Sequence, residues 1–414
     1  MKLLKVDTIE EAREKLIRCV KPWPLKTENI TLAAIAIMSG SAARVLAGDL
    51  HASSGIPGFR RATVDGYAVL AQDTAAAGES IPVFLKQAGT VQMGKPAGFS
   101  IKSGECAYVP TGGMLPEGAD AVVMVEYCEA AAGNIAVYDA AAAGAGMAEA
   151  GEDVKKGGLL LRRGALIRPQ EAGALAAAGI TKVPVFVPPK LFIISTGDEL
   201  VPPDQEPGPG EIRDINTSAL RALASKRGYQ VVMSRVLTDD EEHLKTTVAE
   251  AMGSSDVVII SGGSSQGEKD MTAAIIDGEA EPGVFTHGLA LKPGKPTILG
   301  WDEESKTLLA GLPGHPVSAM LVFELLLGWL VDRLFGRAPP FPIPALLSCN
   351  VPGSPGKTVC QPVILKYNEN ACYAEPVFGK SGMITTLTQA DGYFIINLNR
   401  EGINKGENVL VHLF

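Results

Sequence analysis

Lys190-Leu-Phe-Ile-Ile-Ser-Thr-Gly-Asp-Glu-Leu200 opens the part of the chain that decides the fold. Leu191–Ser195 reads as a buried strand, without the alternation of a half-exposed one. Asn216 to Lys226 reads as a helix that Gly228 stops. Val231–Val236 is a second strand. Thr238 and Glu241 have capping-box spacing and open a helix to about Met252. Asp256–Ser261 is a third strand. Strands of Val and Ile set between amphipathic helices predict a parallel sheet covered on both faces.

Ligands of such sheets bind beyond the carboxyl ends of the strands. Three loops fall there. They are Ser195-Thr-Gly-Asp-Glu-Leu200, Ser261-Gly-Gly-Ser-Ser-Gln-Gly-Glu-Lys-Asp270, and Gly311-Leu-Pro-Gly-His-Pro-Val-Ser318, which follows a short strand at Thr307–Ala310. In the last, Pro316 suits a first helical turn. Glycines allow close backbone approach, and free N–H groups favour an anion; a plain turn into a buried helix is the alternative. Gly262 and Gly267 have the outer spacing of a P-loop, but Glu268-Lys269-Asp270 follows in place of Lys-Ser/Thr, which argues against a P-loop NTPase. The carboxylates there suit phosphate with a hard cation; a solvated surface loop is the alternative. Lys292-Pro-Gly-Lys-Pro296 sets two ammonium groups around a rigid turn, where a tetrahedral dianion would relieve their repulsion; two solvated lysines at a turn are the usual alternative.

Outward from this core, Thr8 and Glu11 form a capping box for a first helix with the apolar stripe Ile9, Ala12, Leu16, Val20. From Gly55 to Val137 short strands dominate, most clearly Val64–Val69, Ala107–Pro110 and Ala121–Glu126. Ala130 to Ala150 reads as a loop or loose hairpin. Pro339 to Pro344 reads as a linker, and Ala345 to Phe414 as a further β unit.

Composition sets bounds. The chain has 414 residues, which predicts two to four domains. With 46% hydrophobic and 20% charged residues it is an ordinary globular chain. A net charge of −9 makes nucleic acid and anionic membrane poor partners, so an anionic substrate needs local cations or backbone donors. Six scattered cysteines form no C-x-x-C pair, which predicts reduced thiols in a cytosolic protein. The N-terminus lacks a signal-peptide apolar core. The apolar run Val317 to Leu334 contains Glu324, Asp332 and Arg333, and predicts a buried helix rather than a membrane span. His51, His243, His287 and His412 have no metal-binding spacing.

Together these segments resemble the molybdopterin molybdenumtransferase family, which includes bacterial MoeA and the gephyrin E domain. The matching segments are Thr63-Val-Asp-Gly-Tyr-Ala-Val69, Pro110-Thr-Gly-Gly through Glu126, Gly151-Glu-Asp-Val-Lys-Lys-Gly157, Ser195 to Leu200, Asp214-Ile-Asn216, Ser261 to Asp270, Lys292 to Pro296, Gly311 to Ala319, Ser381-Gly382 and Ala390-Asp-Gly392. They run in family order over essentially the whole chain.

The resemblance implies a multidomain α/β and β fold. A doubly wound, molybdopterin-adenylyltransferase-like domain (187–336) would be joined by two smaller β-rich domains (55–145 and 337–414). An extended linking domain (30–54 and 146–186) and an N-terminal helix packing on other domains (1–29) would complete it. It also implies a cytoplasmic homodimer that inserts molybdate into adenylylated molybdopterin and releases AMP. Molybdopterin adenylyltransferase is an implied partner.

By resemblance Asp65, Thr111, Asp153, Glu199 and Asp270 are catalytic, with Asp65 and Asp270 holding Mg2+ or positioning water. Ser261, Gly262, Gly263, Ser264, Gly267, Gly311, Pro313, Gly314, His315, Pro316 and Ser318 bind substrate. Lys292, Lys295 and Ser381 bind molybdate. The chain departs from the family in several places. Arg60-Arg-Ala-Thr-Val64 precedes the Asp-Gly-Tyr, Ser264-Ser-Gln266 replaces Val-Ser-Val, and His315 replaces Asn. Gln361 or Pro362 stands where relatives carry a second oxyanion-binding Arg. Tungstate as the preferred anion, a gephyrin-like scaffold without turnover, and an adenylyltransferase remain alternatives. The β units argue against the last.

Overall fold

The computed structural model describes residues 6–21, 23–37, 44–262, 266–369 and 371–414, with the backbone alone for 266–270. The chain divides into two compact units. One comprises residues 48–163 and 168–183; the other comprises 1–47, 164–167 and 184–414.

The smaller unit is built on a six-stranded sheet. Its strands are β1 (Gly66–Val69), β2 (Val83–Thr90), β3 (Glu105–Val109), β4 (Ala121–Met124), β5 (Cys128–Ala131) and β6 (Asn134–Val137), in the order β4-β1-β3-β2-β6-β5. All neighbours are antiparallel except β2 and β3. The loose hairpin expected after Ala130 is a two-residue hairpin between β5 and β6, followed by turns. Gly66 is required by close approach, since a Cβ there would lie 2.0 Å from the Val123 carbonyl oxygen on β4.

In the larger unit α1 (Ile9–Val20) begins as the capping pattern predicts. Thr8 accepts from Glu11 N, and Glu11 returns a bond to Thr8 N. The stripe Ile9, Ala12, Leu16, Val20 is buried in the main core. The central sheet has the order β8-β7-β9-β13-β12-β10, comprising β7 (Lys190–Thr196), β8 (Gln230–Leu237), β9 (Val257–Gly262), β10 (Pro282–His287), β12 (Ile298–Asp302) and β13 (Thr307–Pro313). β8, β7, β9 and β13 are parallel, while β12 and β10 add antiparallel to the β13 edge. The sheet is therefore mixed rather than fully parallel, because tight connections return the chain where a helical crossover was expected.

Helices α2 (Asn216–Arg227), α3 (Glu241–Ser254) and α4 (Gln266–Glu279) connect the strands. Alternate residues of β7 and β9 enter opposite cores. Leu191, Ile193, Val257 and Ile259 join α1 and α2, whereas Phe192, Ile194, Val258 and Ile260 join α3 and α4. Two buried faces explain the unbroken apolar strands. Gly228 caps α2 at φ +91°, a left-handed conformation suited to glycine. The cap of α3 differs from the expected Thr238–Glu241 box. Asp240 accepts from His243 N at 2.7 Å, because β8 runs to Leu237 and leaves Thr238 short of the helix.

The apolar run after Gly314 is buried and helical, as expected, but changes register. α5 (Pro316–Val322) passes through a π-helical stretch, Phe323–Gly328, into α6 (Trp329–Phe335). Side chains serve carbonyls within that stretch: Arg13 donates twice to Leu325 O, and Tyr229 to Leu327 O.

The C-terminal segment forms a closed five-stranded barrel with its own core. Its strands are β14 (Ile343–Leu347), β15 (Thr358–Tyr367), β16 (Cys372–Pro376), β17 (Gly392–Ile396) and β18 (Asn408–Leu413); β15 pairs with both β16 and β17 and closes the ring. The short strand β11 (Leu291–Lys292) pairs in parallel with Thr358–Val359, joining the barrel to the lysine turn. Among the described residues no helix is long and apolar enough to cross a membrane.

Candidate functional site

Three parallel neighbours, β7, β9 and β13, end side by side. The last residues of β7 and β9, with Gly314-His315-Pro316 after β13, line a cleft of about 270 Å³. Ser195, Thr196, Glu199, Asp214, Asn216, Ser261, Gly262, Gly314, His315 and Pro316 face it. Close packing holds the loops. A Cβ on Gly262 would lie 2.0 Å from Thr196 Oγ1, so only glycine fits beside β7. Ser195 Oγ lies 2.8 Å from Thr217 Oγ1, and Asp214 accepts from Thr217 N.

Asn216 is the hub. Its Nδ2 donates to Ser261 Oγ at 2.9 Å and to Gly314 O at 2.8 Å, tying two of the loops to the start of α2. Sequence reasoning quoted this residue but gave it no role. An Asn at a helix start reads as an ordinary cap, and its two partners are 45 and 98 residues away.

A second cavity, of about 800 Å³, adjoins the same Gly314-His315 segment. Lys292, Lys295, Lys357 and Lys380 line it, with His315, Ser318, Gln361 and Ser381, and among the described residues no Asp or Glu does. Four lysines, with no carboxylate among the described residues of the wall, favour a positive potential there on a chain of net charge −9. The β11–β15 pairing carries Lys292 to this wall. The Pro-Gly turn needs its glycine: Gly294 has φ +127°, and a Cβ would lie 2.7 Å from Val322 Cγ2.

Lys357 and Lys380 were missed as cavity cations. The resemblance marked Gly356-Lys357 as the place near which relatives carry an oxyanion-binding Arg pair, and Lys380 was signalled by adjacency to Ser381 alone. Gln361 makes no substitute for a guanidinium here, because its Nε2 is occupied by Pro362 O and Val377 O. Ser381 Oγ lies 2.8 Å from His315 Nδ1, and Val317 N donates to Ser381 O.

In the smaller unit the register Gly66↔Val109 sets Asp65 beside Pro110-Thr111. Asp65 Oδ1 accepts from Thr111 N at 2.6 Å and from Thr111 Oγ1 at 2.9 Å. These bonds hold the exposed carboxyl below the usual carboxylate range, backbone donor first and hydroxyl second. Asp153 is exposed on a turn whose backbone N–H donates to Ile56 O.

The remaining expected residues divide as follows. Glu199 and Pro316 face the cleft, Pro313 and Ser318 the lysine cavity, and Gly314 and His315 both. Gly311 lines neither. It lies within β13, where a Cβ would meet Ile298 and Thr272, so it serves sheet packing and not a phosphate cradle. The strand expected to stop at Ala310 continues to Pro313 and carries Gly311 into the sheet. Gly263 and Ser264 lie outside the described residues. Gly267 and Asp270 are in α4, with the Asp270 side chain outside the description. Among the described residues, no cluster of three or more His, Cys, Asp or Glu could hold a metal ion.

Sequence models described as the MoeA N-terminal region (domain I and II), a probable molybdopterin binding domain and the MoeA C-terminal region (domain IV) match residues 7–179, 192–333 and 344–414. The molybdopterin molybdenumtransferase of Haemophilus influenzae is 30% identical over 98% of both chains. That of Bacillus subtilis is 30% identical over 89% of this chain and 87% of its own. A crystal structure of the molybdopterin biosynthesis MoeA protein from Pyrococcus horikoshii covers 99% of each chain at 37% identity, with a TM-score of 0.78.

Proposed function

The chain belongs to the molybdopterin molybdenumtransferase (MoeA) family, and we propose that it inserts molybdate into adenylylated molybdopterin with release of AMP. The observation that carries this reading is the cavity of Lys292, Lys295, Lys357 and Lys380, lined by no carboxylate among the described residues and sharing Gly314 and His315 with a cleft at the strand ends. A tetrahedral dianion fits the first, by charge and by a hydrogen bond from the Ser381 hydroxyl. A pterin with phosphate groups fits the second, where backbone N–H groups and Gly262 allow close approach.

Catalysis is then mostly positioning and electrostatics around phosphorus. Glu199 lies in the cleft wall. Asp65 stays ionised well below neutral pH through Thr111, which makes it a weak proton acceptor and a dependable negative charge. That supports a charge-holding role over general-base work. Asp153 and Asp270 are assigned to the same chemistry.

Mg2+ belongs to the same proposal. Asp65 and Asp270 are each assigned to Mg2+, since a carboxylate together with substrate phosphates suits a cation that keeps several waters. Bound there, it would neutralise charge on the phosphoanhydride. A homodimer, and substrate supplied by a molybdopterin adenylyltransferase, belong to the same proposal.

The test is AMP release by the purified full chain from adenylylated molybdopterin and magnesium, titrated separately with molybdate and tungstate. Release stimulated by one oxyanion supports the reaction and names the metal. No release with either replaces it with a binding role.

A further inference from the structure

The lysine cavity and the strand-end cleft have Gly314 and His315 in common. Facing His315 across this shared wall are Ser381, in the wall of the cavity, and Gly382, in that of the cleft. The Ser381 hydroxyl meets His315 Nδ1 at 2.8 Å. Val317 N pins the Ser381 carbonyl at 3.2 Å, and a Cβ on Gly382 would already touch the imidazole at 3.7 Å. The pair is thus held in place by backbone as well as by side chains.

A serine hydroxyl has one proton. If it is spent on the imidazole, Ser381 offers only lone pairs to the cavity, and an oxyanion is repelled. If Nδ1 carries the proton, Ser381 Oγ accepts from the ring and its own proton points at the anion. The lysines attract any anion, whereas an aimed O–H favours one with oxygen acceptors.

We propose that His315 is a positioning residue that, as the Nδ1–H donor, orients the Ser381 hydroxyl toward a tetrahedral oxyanion in the lysine cavity. This rests on the oxyanion reading of that cavity given above. His315 then acts through Ser381 and need not touch the anion itself. An asparagine amide, which also donates N–H, can replace it; an alanine cannot.

Calorimetric titration of the full-length protein with sodium molybdate, and separately with sodium tungstate, tests this. The proteins are wild type, His315→Ala, His315→Asn, Ser381→Ala and the His315→Ala/Ser381→Ala double variant, each checked for folding by thermal melting. Loss of one charge-assisted hydrogen bond predicts roughly tenfold weaker binding for either alanine variant. The double variant should bind no more weakly than Ser381→Ala, and His315→Asn should stay within about threefold of wild type. His315→Ala binding like wild type while Ser381→Ala is weakened would overturn the positioning role and leave the oxyanion reading standing. So would additive losses in the double variant, or His315→Asn binding as weakly as His315→Ala. Wild type binding neither oxyanion would overturn both.

Discussion

Replacing Asn216 by alanine should loosen two cleft loops at once, and the size of the effect can be worked from its contacts. Asn216 is 8% exposed, so water cannot readily replace its partners. Its Nδ2 makes two hydrogen bonds, to Ser261 Oγ and Gly314 O. Each contributes about 1 kcal/mol net, and a buried carbonyl left without a donor costs about 1–2 kcal/mol more. Only Gly314 O bears that second cost, because Ser261 Oγ, the acceptor in the other bond, keeps its own O–H to donate elsewhere. Against this, Asn216 Oδ1 is buried with no partner among the described residues, so its removal relieves about 1 kcal/mol. The balance is a loss of about 2–3 kcal/mol.

Asn216→Ala should therefore lower the urea midpoint of the larger unit. It should also raise the KM for adenylylated molybdopterin by about tenfold or more, with a smaller change in kcat. Asn216→Asp removes both donors and adds a charge beside the phosphates, and should be worse in KM. A stability change under about 0.5 kcal/mol together with unaltered substrate binding would refute the strut.

Three further outcomes are expected. Asp65→Asn should leave the fold intact, since the residue is exposed, and should block AMP release; unchanged release by the folded variant removes Asp65 from the chemistry. Thr111→Val deletes one of the two donors that depress the Asp65 pKa. With a folded pKa below the unfolded one, the ionised form and its stabilisation are full above the unfolded pKa and fade only as pH falls through the folded value. The variant should shift the acid limb of the AMP-release profile to higher pH, and an unmoved limb would show that Asp65 does not set it. Lys292→Ala/Lys295→Ala should raise the molybdate requirement at least tenfold while nucleotide binding persists, and equal loss of both would assign the lysines to the nucleotide.

Most of the patterns that were legible lay within one turn of a helix or one strand. The Thr8 capping box, the stripe from Ile9 to Val20, and the Gly228 stop all lie where periodicity and capping chemistry put them. The Thr238–Glu241 box failed because Asp240, with its own short acceptor, competes for the same helix start. The π-helical register of Phe323–Gly328 could not be read from an apolar run. The donors to its carbonyls that favour it come from Arg13 and Tyr229, far away in sequence.

Motif order and spacing, read from the sequence alone, determined the family, the α/β core and the residue types of the site. Close backbone approach, anion attraction and buried strands each leave a short-range signature. Only the tertiary structure decided which of those residues meet. The antiparallel edge strands, the closure of the barrel, and the β11–β15 pairing bring Lys357, Lys380 and Ser381 to the wall of Lys292, Lys295 and His315. A lysine has no local preference for a distant lysine, and their repulsion argues against the encounter. Burial of the surrounding apolar strands forces it, leaving a positive cavity that suits an anion.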